Sequence, residues 1–320
     1  MADQRRVVIT SSSVGKVSEA PFKILKEAGC EVLADERGPF RGEKLVQVLS
    51  RGEAVIVGQD ELNRSVLEAL RGRLRVIVKN GAGVDNIDLE AARECGISVA
   101  NVPAMNADAV AEFAVGLMLA AARKIPQADR DLRAGKWSRF YGLQLTGKTF
   151  GIVGFGRIGQ LVARKLRGFD PVLLAYDPYP NEQALAELGT RLVGLDELLS
   201  ASDIVSLHLP LTEETAGLLG RERLALLKPG ALLVNTARAG VVEPEALAEA
   251  LASGRLGAVA VDVFAAEPSD PADPLLHSDR TVCTPHIASY TYEAMEATSV
   301  QAARNIVDLL EGRPCPFVLK

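Results

Sequence analysis

Thr149-Phe-Gly-Ile-Val-Gly-Phe-Gly-Arg-Ile-Gly159 constrains the fold of this chain more than any other stretch. Phe150 to Val153 is a short apolar run of the kind that forms a buried strand. Gly154, Gly156 and Gly159 follow, and Ile158, Leu161, Val162 and Leu166 then repeat at helical spacing. This is G-x-G-x-x-G between a strand and a helix. Gly154 permits the tight turn, Gly156 lets a pyrophosphate approach the backbone, and Gly159 lets the helix pack closely on the strand. The helix N-terminus adds free N–H groups and a partial positive charge. Glycines also punctuate ordinary turns, so the motif needs its context. The next apolar run, Val172 to Tyr176, ends in Asp177, 18 residues past Gly159. An acid there suits the ribose hydroxyls of NAD and repels the 2′-phosphate of NADP. The segment from Asp177 to Glu182 supplies no Arg or Lys that could hold such a phosphate. The competing reading makes Asp177 the cap of the next helix.

The alternation of strand and helix runs through the whole chain. In the first part, strands are expected at 5–10, 31–34, 54–57, 75–79 and 97–100, with a helix from Ser18 to Ala28 capped by Ser18. In the second part, strands are expected at 150–153, 172–176, 191–193, 203–207, 231–234, 258–261 and 280–282. Such alternation predicts an α/β fold of two doubly wound parallel-sheet domains, Rossmann- or flavodoxin-like, with a cleft between them. A long helix over 106–123, capped by Asn106, is apolar on most of its circumference. It is therefore buried in a core or against a second subunit. Thr291 to Glu311 reads as an amphipathic helix ended by Gly312 and Pro314. It follows the last strand of the nucleotide unit and is expected to cross back to the first lobe. The expected domains are 1–103 plus 288–320, substrate-binding, and 104–287, NAD-binding; 320 residues suffice for both.

Composition removes several classes. A net charge of −5 argues against nucleic acid or an anionic membrane as partner. No apolar signal region follows Met1–Arg6, and the apolar run from Phe113 to Ala122 is too short to span a bilayer. Cys30, Cys95, Cys283 and Cys315 lack C-x-x-C spacing, so structural thiols in a reducing cytoplasm are expected, and no metal site.

In this architecture ligands sit beyond the carboxyl ends of the strands. His286 follows the expected strand at 280–282, and His208 also ends a strand, whereas His277 lies in a polar, proline-rich loop and is expected to be solvated. Arg238, in Asn235-Thr-Ala-Arg238, follows the strand at 231–234; arginine can grip a carboxylate with two parallel hydrogen bonds. Asp262 and Glu267 follow the strand at 258–261. A carboxylate beside His286 would orient its ring and favour imidazolium. Lys79-Asn-Gly-Ala-Gly-Val-Asp-Asn-Ile-Asp88 places two glycines where successive N–H groups can form a nest for a carboxylate. It can equally be a turn before a helix capped by Asp88. Each residue alone has a bland reading as surface or turn; their gathering at one sheet edge does not.

With these residues in hand, the chain resembles the D-isomer-specific 2-hydroxyacid dehydrogenases, and within them the phosphoglycerate dehydrogenase branch. Gly83-Val-Asp-Asn-Ile-Asp88, Val110-Ala-Glu112, Gly154 to Gly159, Asn235 to Arg238, Asp262-Val-Phe264, Glu267-Pro268 and Pro285-His286 match in order over nearly the whole chain. The resemblance implies an NAD-dependent oxidoreductase interconverting a small D-2-hydroxy acid and its 2-keto acid. It implies Arg238, Glu267 and His286 as catalytic residues, as substrate anchor, partner of the histidine and acid/base respectively. Substrate contacts are implied at Lys79, Gly81, Ala82, Gly83, Arg238 and His286. Cofactor contacts are implied at Gly154, Gly156, Arg157, Ile158, Gly159, Asp177, His208, Pro210, Thr215, Thr236, Ala237 and Asp262. A cytoplasmic homodimer joined around 106–123 is implied too. Lys79 stands where the phosphoglycerate branch carries Arg, and Ala288 replaces a frequent Gly. Because the chain stops at Lys320, feedback through a carboxy-terminal regulatory domain is not expected. Glyoxylate or hydroxypyruvate reduction and phosphite oxidation remain alternatives on the same fold; formate is disfavoured, because formate enzymes carry Gln where Glu267 stands. An NAD(H)-sensing protein resembling transcriptional corepressors is the alternative of another class, although those carry extended tails.

Overall fold

Side chains alternate along a strand, so a strand covered on both faces divides its residues between two cores. The strand Ala54–Val57 does this: Val55 and Val57 join one cluster, Ala54 and Ile56 the other. The computed structural model describes residues 5–319; Met1–Gln4, part of the expected polar N-terminus, and Lys320 lie outside the described residues. The chain forms two compact units, Met1–Asn106 with Tyr290–Lys320, and Ala107–Ser289.

Unit 1 begins with β1 (Arg6–Ile9), α1 (Ala20–Glu27), β2 (Glu31–Leu33), α2 (Gly42–Leu49) and β3 (Ala54–Val57). It continues with α3 (Arg64–Ala69), β4 (Val76–Lys79), α4 (Leu89–Glu94) and β5 (Ser98–Ala100). The five strands pair in parallel in the order β2-β1-β3-β4-β5. The first helix starts one residue later than Ser18 as cap requires: Glu19 is the cap, and Ser18 Oγ, one position further out, accepts from Ala20 N at 3.2 Å. Pro21 in the first turn fits because it needs no partner there. Asp88 does cap α4, accepting from Ala91 N at 2.8 Å, so this part of the Lys79–Asp88 segment is structural.

Unit 2 opens with α5 (Ala107–Ala122) and α6 (Ile125–Arg133), then β6 (Thr149–Val153), α7 (Arg157–Leu166), β7 (Val172–Tyr176), α8 (Glu182–Leu188) and β8 (Thr190–Leu192). It continues with α9 (Leu195–Ala201), β9 (Ile204–Leu207), α10 (Arg221–Leu226), β10 (Ala231–Asn235), α11 (Pro244–Ala252), β11 (Leu256–Val261) and β12 (Thr281–Cys283). Its seven parallel strands run β12-β11-β10-β9-β6-β7-β8. The chain then returns to unit 1 as α12 (Tyr292–Leu310), capped by Thr291 on Ala294 N. Ala302, Ala303, Ile306, Val307 and Leu310 of α12 fill the core that contains Val7, Ile9 and Leu25. No helix among the described residues is long and apolar enough to cross a membrane.

One ion pair ties three strands of unit 2 together. Asp203, just before β9, accepts from Thr149 N of β6 at 2.9 Å and from Lys228 Nζ at 3.0 Å. Burial raises the pKa of this carboxyl, but the two donors outweigh burial and hold it below the usual carboxylate range. Its stabilisation is therefore present above the ordinary aspartate pKa and lost as pH falls through the depressed one. Asp203→Ala is expected to cost about 1–2 kcal/mol after discounting for partial exposure. It should also flatten the acid side of a plot of Tm against pH; an unchanged acid limb would show the pair contributes nothing.

Candidate active site

The glycine loop of unit 2 is shaped by contacts that admit no side chain. Gly154 has φ +93°, and a Cβ there would meet His208 C and O at 2.8 Å. A Cβ on Gly159 would lie 2.2 Å from Gly154 O. Gly156 differs: its φ is −70° and a Cβ would meet nothing within 4 Å. Glycine there leaves open space above the start of α7, whose first turn has no side-chain cap. That is room for a pyrophosphate against free N–H groups. Arg157 is exposed beside it, and Ile158 packs against the core below.

Asp177 does not cap α8; Asn181 does, accepting from Ala184 N at 3.0 Å. Asp177 instead accepts from Phe155 N in the glycine loop at 2.7 Å and from Tyr179 N at 2.8 Å. These bonds fix a carboxylate at the loop's rim and leave acceptor capacity for ribose hydroxyls. His208 bonds Ser206 Oγ through Nε2 at 2.9 Å, and burial pushes its pKa down to about 4. It is thus neutral at working pH and unsuited to donate a proton. Pro210 and Thr215 share one loop, with Thr215 Oγ1 donating to Pro210 O at 2.6 Å. Beyond β10, Asn235 holds the next loop: its Oδ1 accepts from Ala237 N and its Nδ2 donates to Arg238 O. Thr236 Oγ1 is buried with no protein partner, as a position awaiting a ligand group would be. Together these residues fit a dinucleotide.

At the carboxyl ends of β11 and β12, Glu267 and His286 meet. His286 Nδ1 lies 2.7 Å from Glu267 Oε2, both side chains half-buried. Burial raises the pKa of Glu267, yet it stands below the usual range. The His286 hydrogen bond and charge, the Phe264 N–H and the Arg238 charge together outweigh burial. Arg238 also donates to Ala237 O at 2.8 Å. Phe264, Pro268, Leu276 and Cys283 join the pair in lining a cavity of about 380 Å³, an apolar wall that strengthens its electrostatics.

His286 has φ +54°, a left-handed conformation that costs a non-glycine residue about 1–2 kcal/mol. Asp262 holds it there. This carboxylate is 1% exposed and accepts from Thr284 Oγ1 (2.6 Å), Ile287 N (2.9 Å) and Ala288 N (2.8 Å). Both oxygens of Asp262, expected among the cofactor contacts, are thus used to set the histidine loop. Thr284 and Asn235 are the supporting residues that sequence reading left out. Their only signal was a short polar side chain at a strand end, the common mark of local backbone bonding.

In unit 1, the loop after β4 has the Gly81 carbonyl taken by Val102 N and the Ala82 carbonyl taken by Asn101 Nδ2. The N–H groups of Ala82 and Gly83 meet no protein acceptor among the described residues. Lys79 is 6% exposed, and its ammonium donates to Gly58 O, Gln59 Oε1 and Asn86 Oδ1. His277, by contrast, is exposed and bonds Pro271 O.

A parallel sheet with this glycine loop, an acid closing its second strand and a histidine–carboxylate pair at the same sheet edge define a dinucleotide-binding domain equipped for proton transfer. Residues 115–288 match the model of the D-isomer specific 2-hydroxyacid dehydrogenase, NAD binding domain. The chain is 41% identical over 301 residues to D-3-phosphoglycerate dehydrogenase of Archaeoglobus fulgidus, covering 93% of this chain and 56% of that protein. It spans about half the length of the curated relatives it matches. Among solved structures, a Thermus thermophilus protein is similar with a TM-score of 0.88 and 38% identity, over 98% of this chain and all of that one. D-lactate dehydrogenase of Escherichia coli is similar with 0.87 and 34%, over 99% and 100%. The chain belongs to the D-isomer-specific 2-hydroxyacid dehydrogenase family, and NAD is the cofactor of its second unit.

Proposed function

We propose that this chain is an NAD-dependent dehydrogenase interconverting a small D-2-hydroxy acid and its 2-keto acid, with 3-phosphoglycerate in its substrate range. The observation that carries this reading is the 2.7 Å His286–Glu267 contact in the unit that binds NAD. Bound NADH supplies the hydride to the keto carbon. His286, charged, donates its proton to the forming alkoxide. Glu267 holds the ring through Nδ1 and orients it for that step. Arg238 grips the carboxylate and faces the developing negative charge. Asp262 fixes the loop that aims the ring. In unit 1, the open N–H groups of Ala82 and Gly83 support a carboxylate contact over Gly81 to Gly83. Lys79, whose ammonium already serves three acceptors, supports that loop from beneath.

The reading extends to a cytoplasmic homodimer. Four free cysteines suit a reducing compartment. Ile125, Leu132, Trp137, Phe140 and Tyr141, in and just after α6, leave an exposed apolar stretch next to α5 that suits a second copy. NADH oxidation measured against glyoxylate, hydroxypyruvate, pyruvate and 3-phosphohydroxypyruvate tests the enzyme. NADH binding without turnover of any keto acid would favour the nucleotide sensor.

Cofactor choice gives a separate test. Asp177→Ala removes both the ribose acceptor and the acceptor of Phe155 N. It should weaken NADH by about tenfold and narrow the gap to NADPH. Equal use of NADH and NADPH by the unaltered protein would remove the basis of this assignment.

A further inference from the structure

β12 is the edge strand of the unit 2 sheet and pairs with β11 alone. The pairing ends at Val261 and Cys283, and both chains then leave the sheet as loops. One backbone bond reaches further, from Thr284 N to Val261 O at 3.0 Å. The loop after β11 carries Glu267 and the loop after β12 carries His286. Their spacing beyond the sheet therefore depends on what bridges the two loops. Glu267 is held on its own loop by Phe264 N at 3.2 Å. His286, at φ +54°, donates its N–H back to Thr284 O at 3.1 Å.

Asp262 is the bridge. It stands two residues before Phe264 and is 1% exposed. It grips the histidine loop on both sides of His286, accepting from Thr284 Oγ1 at 2.6 Å before it and from Ile287 N and Ala288 N after it. Thr284 has one hydroxyl proton to give. Val261 O lies 3.3 Å from Oγ1, so the nearer, charged oxygen of Asp262 takes it. Such a bond is strong where water is excluded. Two of these three donors are backbone N–H groups that almost any residue would supply. The Thr284 hydroxyl is the one that depends on a side chain.

We propose that Thr284 is a positioning residue for proton transfer. Its hydroxyl, through Asp262, holds the start of the histidine loop so that the ring meets Glu267 at Nδ1 and aims Nε2 at the forming alkoxide. This rests on the dehydrogenase reading above. The bonds of the Thr284 hydroxyl involve neither Arg238 nor the glycine loop, so its loss should spare substrate grip and cofactor binding. A misplacement of about 1 Å at a reacting group costs as much as 10²-fold in rate.

The test uses the full chain with NADH and a keto acid that the unaltered protein reduces. Thr284→Val keeps the shape of the side chain and removes the hydroxyl. It should lower kcat by about 10–100-fold and leave KM for the keto acid and for NADH within about twofold. Thr284→Ser restores the donor and should recover kcat to within about threefold of the unaltered protein. In Thr284→Val the solvent deuterium effect on kcat should grow, because proton transfer becomes limiting, and the effect of deuterated NADH should shrink. A loss of folded protein alone would lower the active fraction and leave both isotope effects in place. A raised KM with kcat kept, an unchanged kcat, a loss that Ser does not recover, or an unchanged solvent effect overturns this role and leaves the dehydrogenase reading standing. If the unaltered protein reduces no keto acid, that reading fails instead, and hydrogen exchange decides the role of Thr284. The amides of Ile287 and Ala288 should then exchange about tenfold faster in Thr284→Val than in Thr284→Ser, and equal exchange overturns it. Should Thr284→Val not fold, Thr284→Ala enters the same comparisons, with the same pattern expected and its absence counting against the proposal.

Discussion

Replacing His286 by alanine is expected to cut keto acid reduction and hydroxy acid oxidation by about 10²–10⁴-fold while NADH still binds. Among the described residues, neither of the other two histidines is placed to take over. His208 is held neutral by burial, with its pKa near 4, and His277 is tied to Pro271 O in an exposed loop. Glu267→Gln probes the same step through pH. The pKa of Glu267 is depressed, because the His286 bond and charge overcome burial, so Glu267 is ionised across the neutral range. Reduction needs the charged ring and declines as pH rises, whereas oxidation needs the neutral ring and increases. Gln keeps the size but not the charge, so both limbs should shift to lower pH in Glu267→Gln. The measurement is kcat/KM against pH in both directions, with a deuterated cofactor reporting the hydride step. Limbs that stay in place would uncouple Glu267 from the titrating group.

What the sequence could show here was what local rules govern. The strands of both units are apolar runs bounded by turns, so the β/α alternation and the parallel sheets were legible. The glycine loop was legible because three glycines each answer a separate steric demand, and Gly154 and Gly159 meet backbone where a Cβ would stand. Glu267 and His286 were legible as candidates by their places after β11 and β12. Their 2.7 Å contact was not, because it depends on a loop conformation that only the folded chain sets. The commitments of polar groups were hidden for the same reason. Asp262 is expected as a cofactor contact, and its bonds from Thr284, Ile287 and Ala288 appear only once the loop has folded around it. Lys79 reads as an available cation, yet Asn86 of its own loop and Gly58 and Gln59 after β3 accept its N–H groups.

Arg238→Lys should lower kcat/KM for keto acids by about 10²–10³-fold, although the charge is kept. Arg238 follows β10 in an extended conformation, φ −145° and ψ 138°, fixed through its carbonyl by Asn235 Nδ2 at 2.9 Å. Its charge is felt by Glu267, which places it in reach of the pair. A guanidinium offers parallel N–H groups that match both oxygens of a carboxylate, whereas an ammonium acts as a point charge on a flexible stem. Lys at this position would still lower the Glu267 pKa, so the pH limbs should stay near their wild-type positions while the rate falls. That combination separates loss of substrate grip from disturbance of the proton donor. NADH affinity, followed by fluorescence, should be nearly unchanged, because the proposed cofactor contacts are the glycine loop and Asp177. Arg238→Ala should be slower still and should regain part of its activity with added guanidinium ion, which can restore the fork but not the tether. A Lys variant as active as the unaltered protein, or an Ala variant indifferent to guanidinium, would place the substrate anchor on another residue.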